Sequence, residues 1–242
     1  MELVLIAGAS ASGKTELARQ LLKSLNSAGT NAILFKTDDY YREIPDGIDI
    51  DYYRQNTNFD TPDIFEFDLL AQHLTNLHEG IGITKAKEFD FKTNKRIGSE
   101  TISPPDVLII EGLFALDFSK KYLHRSTIPK TTVFVETDFY PDIVNRRIAR
   151  DLAERGRNNK EEILRQERKF VGPAFFSTIC KSKNGVDISV DNSEKIVIKH
   201  DPAAPGSAAQ LPPTHPLMRG VDEIIAKLQS RQELGISSDR QP

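Results

Sequence analysis

The chain has 242 residues, 38% hydrophobic and 28% charged, which bounds it to globular composition with enough length for one substantial core. Lysine and arginine total 32 against 35 acidic residues, so a net charge of −3 makes no electrostatic case for a nucleic-acid partner. The single cysteine, Cys180, excludes an internal disulfide framework, and no apolar run approaches the roughly 20 residues that a membrane span needs.

The first apolar run, "LVLIAGA" at residues 3–9, has no basic segment before it and meets a glycine loop at once. It reads as a buried parallel strand and not as a signal peptide, and the default compartment is cytoplasmic. The loop is "GASASGKT", Gly8, Ala9, Ser10, Ala11, Ser12, Gly13, Lys14 and Thr15. Glycines let backbone N–H groups approach phosphate oxygens, and a following helix adds partial positive charge at its start. Lys14 can reach the outer phosphates and Thr15 can offer its hydroxyl to Mg²⁺. Leu17, Leu21 and Leu25 then recur every four residues, as one face of a helix does.

A second strand is predicted at residues 32–37 and leads into "KTDDYYR" at residues 36–42. In a parallel sheet the carboxyl ends of strands face the ligand crevice. Asp38 or Asp39 can there take the proton of an attacking hydroxyl or help hold the metal; capping a turn is the plainer role. A helix is predicted over residues 63–77, after Pro62. Residues 84–97 alternate around a turn-like "KTNK" and predict a small hairpin. The strand "DVLIIEG" at residues 106–112 ends on Glu111, a carboxylate placed to support a metal beside the loop.

A fourth strand is predicted at residues 131–137, a helix at 140–155, and a weaker fifth strand at 186–190. Within "NRRIARDLAERGR", Val144, Ile148 and Leu152 share one predicted face, and Arg146, Arg147 and Arg150 the other. These arginines, with Arg155 and Arg157 around Gly156, suit a lid near residues 146–160 that closes over a triphosphate. Residues 200–216 are rich in Pro and Ala and read as a surface loop or linker, followed by a closing helix and tail at 217–242. Residues 1–199 thus form the main domain: a doubly wound, mainly parallel α/β sheet of about five strands flanked by helices. The guanine-reading "NKxD" and the "LSGGQ" signature are both missing, which weighs against switch and motor classes.

Taken together, residues 3–190 resemble the uridine (uridine–cytidine) kinases, within the wider phosphoribulokinase/uridine kinase group of P-loop kinases. The resemblance rests on "GASASGKT", "DDYYR", "NFDTPDIFEFDLL", "IIEG" and "RRIARDLAERGR" in that order. It implies transfer of the γ-phosphate of ATP or GTP, with Mg²⁺, to the 5′-hydroxyl of a pyrimidine ribonucleoside, and a homo-oligomer. By position it implies Asp38 as base near the metal, with Lys14 and Arg150 also catalytic. Thr15 and Glu111 match metal-shell residues, and Arg150 and Arg155 match lid residues on the phosphates. Asp60 matches the acid on the ribose hydroxyls, and Arg147 an arginine near the sugar. Tyr41, Phe91, Arg157 and Gln166 match residues near the acceptor. Two positions depart from the family: Phe89 stands where tyrosine is usual, and Asn94 where histidine is usual. Other hydroxyl acceptors, such as a phosphorylated sugar or a pantothenate-like molecule, and a non-catalytic nucleotide sensor are the alternatives.

Overall fold

In the computed structural model, described over residues 1–137, 140–157, 159–193 and 211–238, five strands form one parallel sheet. They are β1 (Glu2–Gly8), β2 (Ala32–Lys36), β7 (Val107–Glu111), β8 (Lys130–Glu136) and β9 (Ile188–Asp191), in the order β2-β7-β1-β8-β9. The register sets Ile6 beside Glu111 and Val133, and Lys36 beside Glu111. The carboxyl ends of β1, β2 and β7 therefore open on one edge, where the chain order reverses and a crevice forms. The doubly wound α/β sheet expected from the apolar runs is what the chain builds.

Strand alternation divides the core. Val4 and Ile6 face α1 (Lys14–Ser27), which presents Leu17, Leu21 and Leu25. The last helix, α7 (Pro216–Ser238), adds Val221, Ile224 and Leu228 to the same cluster. Fully burying each such side chain stabilises the fold by about 1.5–3 kcal/mol. Leu3, Leu5 and Ala7 face the other way, onto α3 (Phe67–His78) and α4 (Ala115–Tyr122). α2 (Ile50–Asn56), capped by the Asp49 carboxylate, and α4 lacked a clear periodic signal in the sequence.

Three expectations change. The helix expected over residues 63–77 is a 3₁₀ turn, Pro62–Ile64, then extended Phe65, then α3. Phe65 is held extended because it bridges Tyr41, with ring centroids 4.3 Å apart; tertiary packing outweighs helix propensity there. The hairpin is larger than expected. An inner pair, β4 (Glu88–Asp90) and β5 (Lys95–Ile97), is extended by β3 (Ile83–Lys85) on β6 (Glu100–Ile102). In the Pro/Ala-rich stretch, residues 200–210 lie outside the described residues, but Leu211 and His215 are buried, not on a surface loop.

Candidate active site

The loop after β1 curls back on itself, with Ala11 at φ 63° and Gly13 at φ 101°, both left-handed. Gly13 tolerates that conformation because it has no Cβ. Lys14 opens α1 and its ammonium donates to the Ala9 carbonyl at 3.3 Å. Burial lowers the Lys14 ammonium below its ordinary value, while Glu111 and Asp38 act in the opposite sense. Thr15 Oγ1 donates to Glu111 Oε1 at 3.0 Å. Glu111 is buried at the end of β7, and that burial pushes its carboxyl upward against the pull of Lys14. The following residue, Gly112, passes so close to Thr37 that an added Cβ would lie 1.7 Å from its hydroxyl. This close approach docks the turn after β2 against β7.

That turn, a 3₁₀ segment at Thr37–Tyr40, separates the two adjacent aspartates. Asp38 faces the cleft, where Arg155 Nη2 donates to it at 2.9 Å. Asp39 faces away and pairs with buried Lys85 at 3.3 Å. Asp38 thus shares a cavity with Ser10, Lys14, Tyr41, Asp60, Phe91, Asn94, Arg147, Arg150, Arg155, Arg157 and Gln166. Thr57, Phe59, Leu113, Asp151 and Phe170 complete its wall; none was singled out in the sequence, although Phe59 and Asp151 lie within two of the motifs quoted above.

Phe89 does not line the cavity. It is buried behind it, 5.4 Å from Tyr41 and 5.3 Å from Phe91 between ring centroids, which corrects its expected place beside the acceptor. Asn94 does reach the cavity, is 3% exposed, and its Nδ2 has no hydrogen-bond partner. A buried amide without a partner costs about 1–3 kcal/mol, which suits a group that acquires its partner from a ligand. Gln166 donates to the Arg54 carbonyl, and Arg54 in turn donates to the carbonyls of Phe91 and Lys92, tying Gln166 to the hairpin.

The segment expected to carry a lid lies on α5 (Tyr140–Ala153), a left-handed Gly156, and α6 (Lys160–Gln166), which runs on through π-helical turns at Glu167–Val171 and Phe175–Ile179. The expected division of its faces is corrected here. Ile143, Arg147, Ile148 and Asp151 are the buried residues, while Leu152 is 41% exposed. Arg147 can be buried because carboxylates enclose it: Asp151 at 3.3 Å and Glu167 at 2.6 Å. Asp151 also accepts from Arg150 Nη2 at 2.7 Å and lies 3.9 Å from Arg155. Arg150 reaches on to Ser10 Oγ at 3.1 Å, and Arg155 stacks 3.9 Å above the centre of the Phe91 ring. One carboxylate therefore gathers three arginines over the loop.

Burial raises the Asp151 carboxyl, but Arg150, Arg155 and Arg147 outweigh it and leave it below 3.8. Its contribution to stability is therefore complete above about that value, and it is lost as pH falls from there through the lower folded-state value. Asp151→Asn should cost about 3 kcal/mol at pH 7, and the gap to wild type should close as pH drops below 3.8, as read by thermal melts across pH.

A phosphate-type loop at the switch point of a parallel sheet, roofed by arginines and faced by a carboxylate, defines the class: a P-loop kinase. The Phosphoribulokinase / Uridine kinase family model matches residues 3–198, and the chain belongs to that family. It is 35% identical over 200 residues to a uridine kinase of Shewanella amazonensis, covering 81% of this chain and 90% of that one. It is 32% identical to uridine-cytidine kinase A of Dictyostelium discoideum, where the match covers 80% of this chain but 36% of the relative. The chain thus spans about a third of that relative's length, and of a mouse uridine-cytidine kinase-like protein's, of which 32% is covered. The solved phosphoribulokinase of Rhodobacter spheroides shares the fold, with TM-score 0.53 and 15% identity over 78% of this chain and 69% of that one.

Proposed function

We propose that the protein transfers the γ-phosphate of ATP or GTP to the 5′-hydroxyl of uridine or cytidine, giving the monophosphate in pyrimidine salvage. The observation that carries this reading is that Asp38, Asp60 and Lys14 line one cavity under the arginine lid. Backbone N–H groups of the loop and Lys14 take the donor phosphates. Asp60 accepts from the ribose hydroxyls, with Arg147 and Gln166 around the sugar and Tyr41, Phe91, Asn94 and Arg157 around the rest of the acceptor.

Asp38 orients the 5′-hydroxyl and takes its proton as the oxygen bonds to the γ-phosphorus and the bond to the β-phosphate oxygen breaks, releasing the nucleoside diphosphate. Arg150 and Arg155 offset the charge on the transferring group, and lid closure keeps water out. Arg155 donates to Asp38 at 2.9 Å, and in the proposed reaction it exchanges that partner for the donor phosphate.

Among the described residues no set of three or more His, Cys, Asp or Glu side chains is grouped to hold a metal alone. Mg²⁺ needs less: it keeps waters, takes phosphate oxygens and adds one or two carboxylates. The buried Glu111 carboxyl, bonded to Thr15 and near Asp38 and Lys14, is a hard oxygen donor set that fits it. Held by Thr15, Glu111 and Asp38, it would neutralise charge on the donor phosphates.

One observation favours a second reading. Phe89 has no hydroxyl and stands behind the cavity, so a different hydroxyl acceptor, such as a phosphorylated sugar, fits a pocket that has lost that group. ADP release with Mg·ATP against uridine, cytidine, adenosine, ribulose 5-phosphate and pantothenate, with product masses, separates the two. Monophosphate from uridine or cytidine supports the first. Turnover of another acceptor with inert nucleosides supports the second. Binding of Mg·ATP with no transfer to any of them would leave a sensor.

A further inference from the structure

The phosphate loop is not held by its own residues alone. β9 ends at Asp191, and the Asn192 N–H donates to the Glu136 carbonyl at 3.0 Å, carrying the β8–β9 ladder one residue further. The Asn192 side chain turns inward and is 8% exposed. Its Nδ2 donates to the Ser12 carbonyl at 2.7 Å. A carbonyl oxygen only accepts, so this contact also fixes which end of the amide faces the loop. α1 does not use the Ser12 carbonyl at its start: the Leu17 N–H bonds Gly13 instead.

The Ser12 carbonyl and the Gly13 N–H belong to one peptide group. A trans peptide is planar, with its carbonyl and N–H pointing in opposite directions, and the described residues contain no cis peptide. Anchoring the carbonyl to Asn192 therefore turns the Gly13 N–H away from β9. The fit is close: a Cβ on Gly13 would lie 2.5 Å from Asn192 Nδ2 and 3.6 Å from Leu217 Cδ1, at the start of α7. Gly13 also sits at φ 101°, so the peptide plane is held by the amide on one side and by a backbone region only glycine enters readily on the other.

We propose that Asn192 is a positioning residue for the phosphate donor: through the Ser12 carbonyl it locks the Ser12–Gly13 peptide with the Gly13 N–H turned to the phosphates. This rests on the loop being the phosphate site. Asn192 touches no reacting atom, so its effect falls on the donor and spares the acceptor. Without the amide, the peptide can rotate, and the Ser12 carbonyl can turn its negative end toward the phosphates.

The test is calorimetry of Mg·ATP on wild type and Asn192→Ala, together with KM for ATP and for uridine and melting curves without nucleotide. The expected result is a Kd for Mg·ATP and a KM for ATP each raised about tenfold, with KM for uridine within about twofold of wild type. Asn192→Asp, equal in shape but without the donor, should lose donor affinity at least as far. Asn192→Ser, which keeps a hydroxyl donor in less volume, should recover part of it, and it replaces the alanine variant should that fail to fold. Donor affinity within twofold of wild type in the alanine and aspartate variants overturns the proposal. So does an equal rise in both KM values with a lowered melting temperature, the signature of a purely structural asparagine. Wild type that fails to bind Mg·ATP would overturn the phosphate-loop reading itself, and calorimetry detects that whatever the acceptor is.

Discussion

Asp38→Ala lowers kcat by roughly 10²–10⁴-fold, while Mg·ATP still binds within about tenfold of wild type. The size follows from what the carboxylate does in the proposed reaction. It alone takes the proton of the acceptor hydroxyl, and its loss leaves that oxygen a weak nucleophile at neutral pH. Donor affinity survives because most of the phosphate contacts come from the loop backbone, Lys14 and the lid arginines, none of which the substitution removes. Arg155 loses its 2.9 Å partner but keeps the Phe91 ring beneath it and Asp151 nearby. Single-turnover rates beside calorimetric Kd values make the comparison. Equal losses in rate and affinity would mean that Asp38 serves the metal or the lid and not the proton.

Uridine exceeds 2′-deoxyuridine by about 10⁴-fold in kcat/KM, and Asp60→Ala reduces that ratio to about tenfold or less. Asp60 lies in the cavity, and burial raises its carboxyl above the usual carboxylate range while Arg147 pulls it back. Such a group needs partners. Vicinal hydroxyls supply two donors to its two oxygens, and an analogue with one hydroxyl leaves an oxygen desolvated and unpaired. Removing the carboxylate removes the penalty together with the preference. Initial rates for both nucleosides, with wild type and variant, decide it. A ratio unchanged by the substitution would place ribose reading elsewhere.

Much of this arrangement was open to reading along the chain. Residues 3–9, 32–37, 106–112 and 131–137 are continuous apolar runs, and a strand covered on both faces requires that pattern whatever its neighbours. The loop is equally local, since its glycines, Lys14 and Thr15 are consecutive and their geometry depends on that spacing. Where expectation failed, a distant partner had intervened. Phe65 reads as helix and is extended because Tyr41 pairs with it. Arg147 reads as opposite the apolar face of its helix and is instead on the buried face, because Glu167, just past α6, pairs with it at 2.6 Å.

The sequence by itself determined the sheet, the phosphate loop and the family, because each depends on residue types at short, regular spacings. The residue types alone left Asp38 and Asp39 equivalent, and only the resemblance singled out Asp38; the tertiary structure supplies the physical reason. Successive side chains on a 3₁₀ turn point about a third of a revolution apart, so Asp38 meets Arg155 while Asp39 meets Lys85. It also decided that Asp151 gathers the arginines and that Asn192 reaches Ser12 across 180 residues of chain. Contacts at such separations leave no period in the sequence, because they are made when the sheet closes and brings the ends of its strands to one edge.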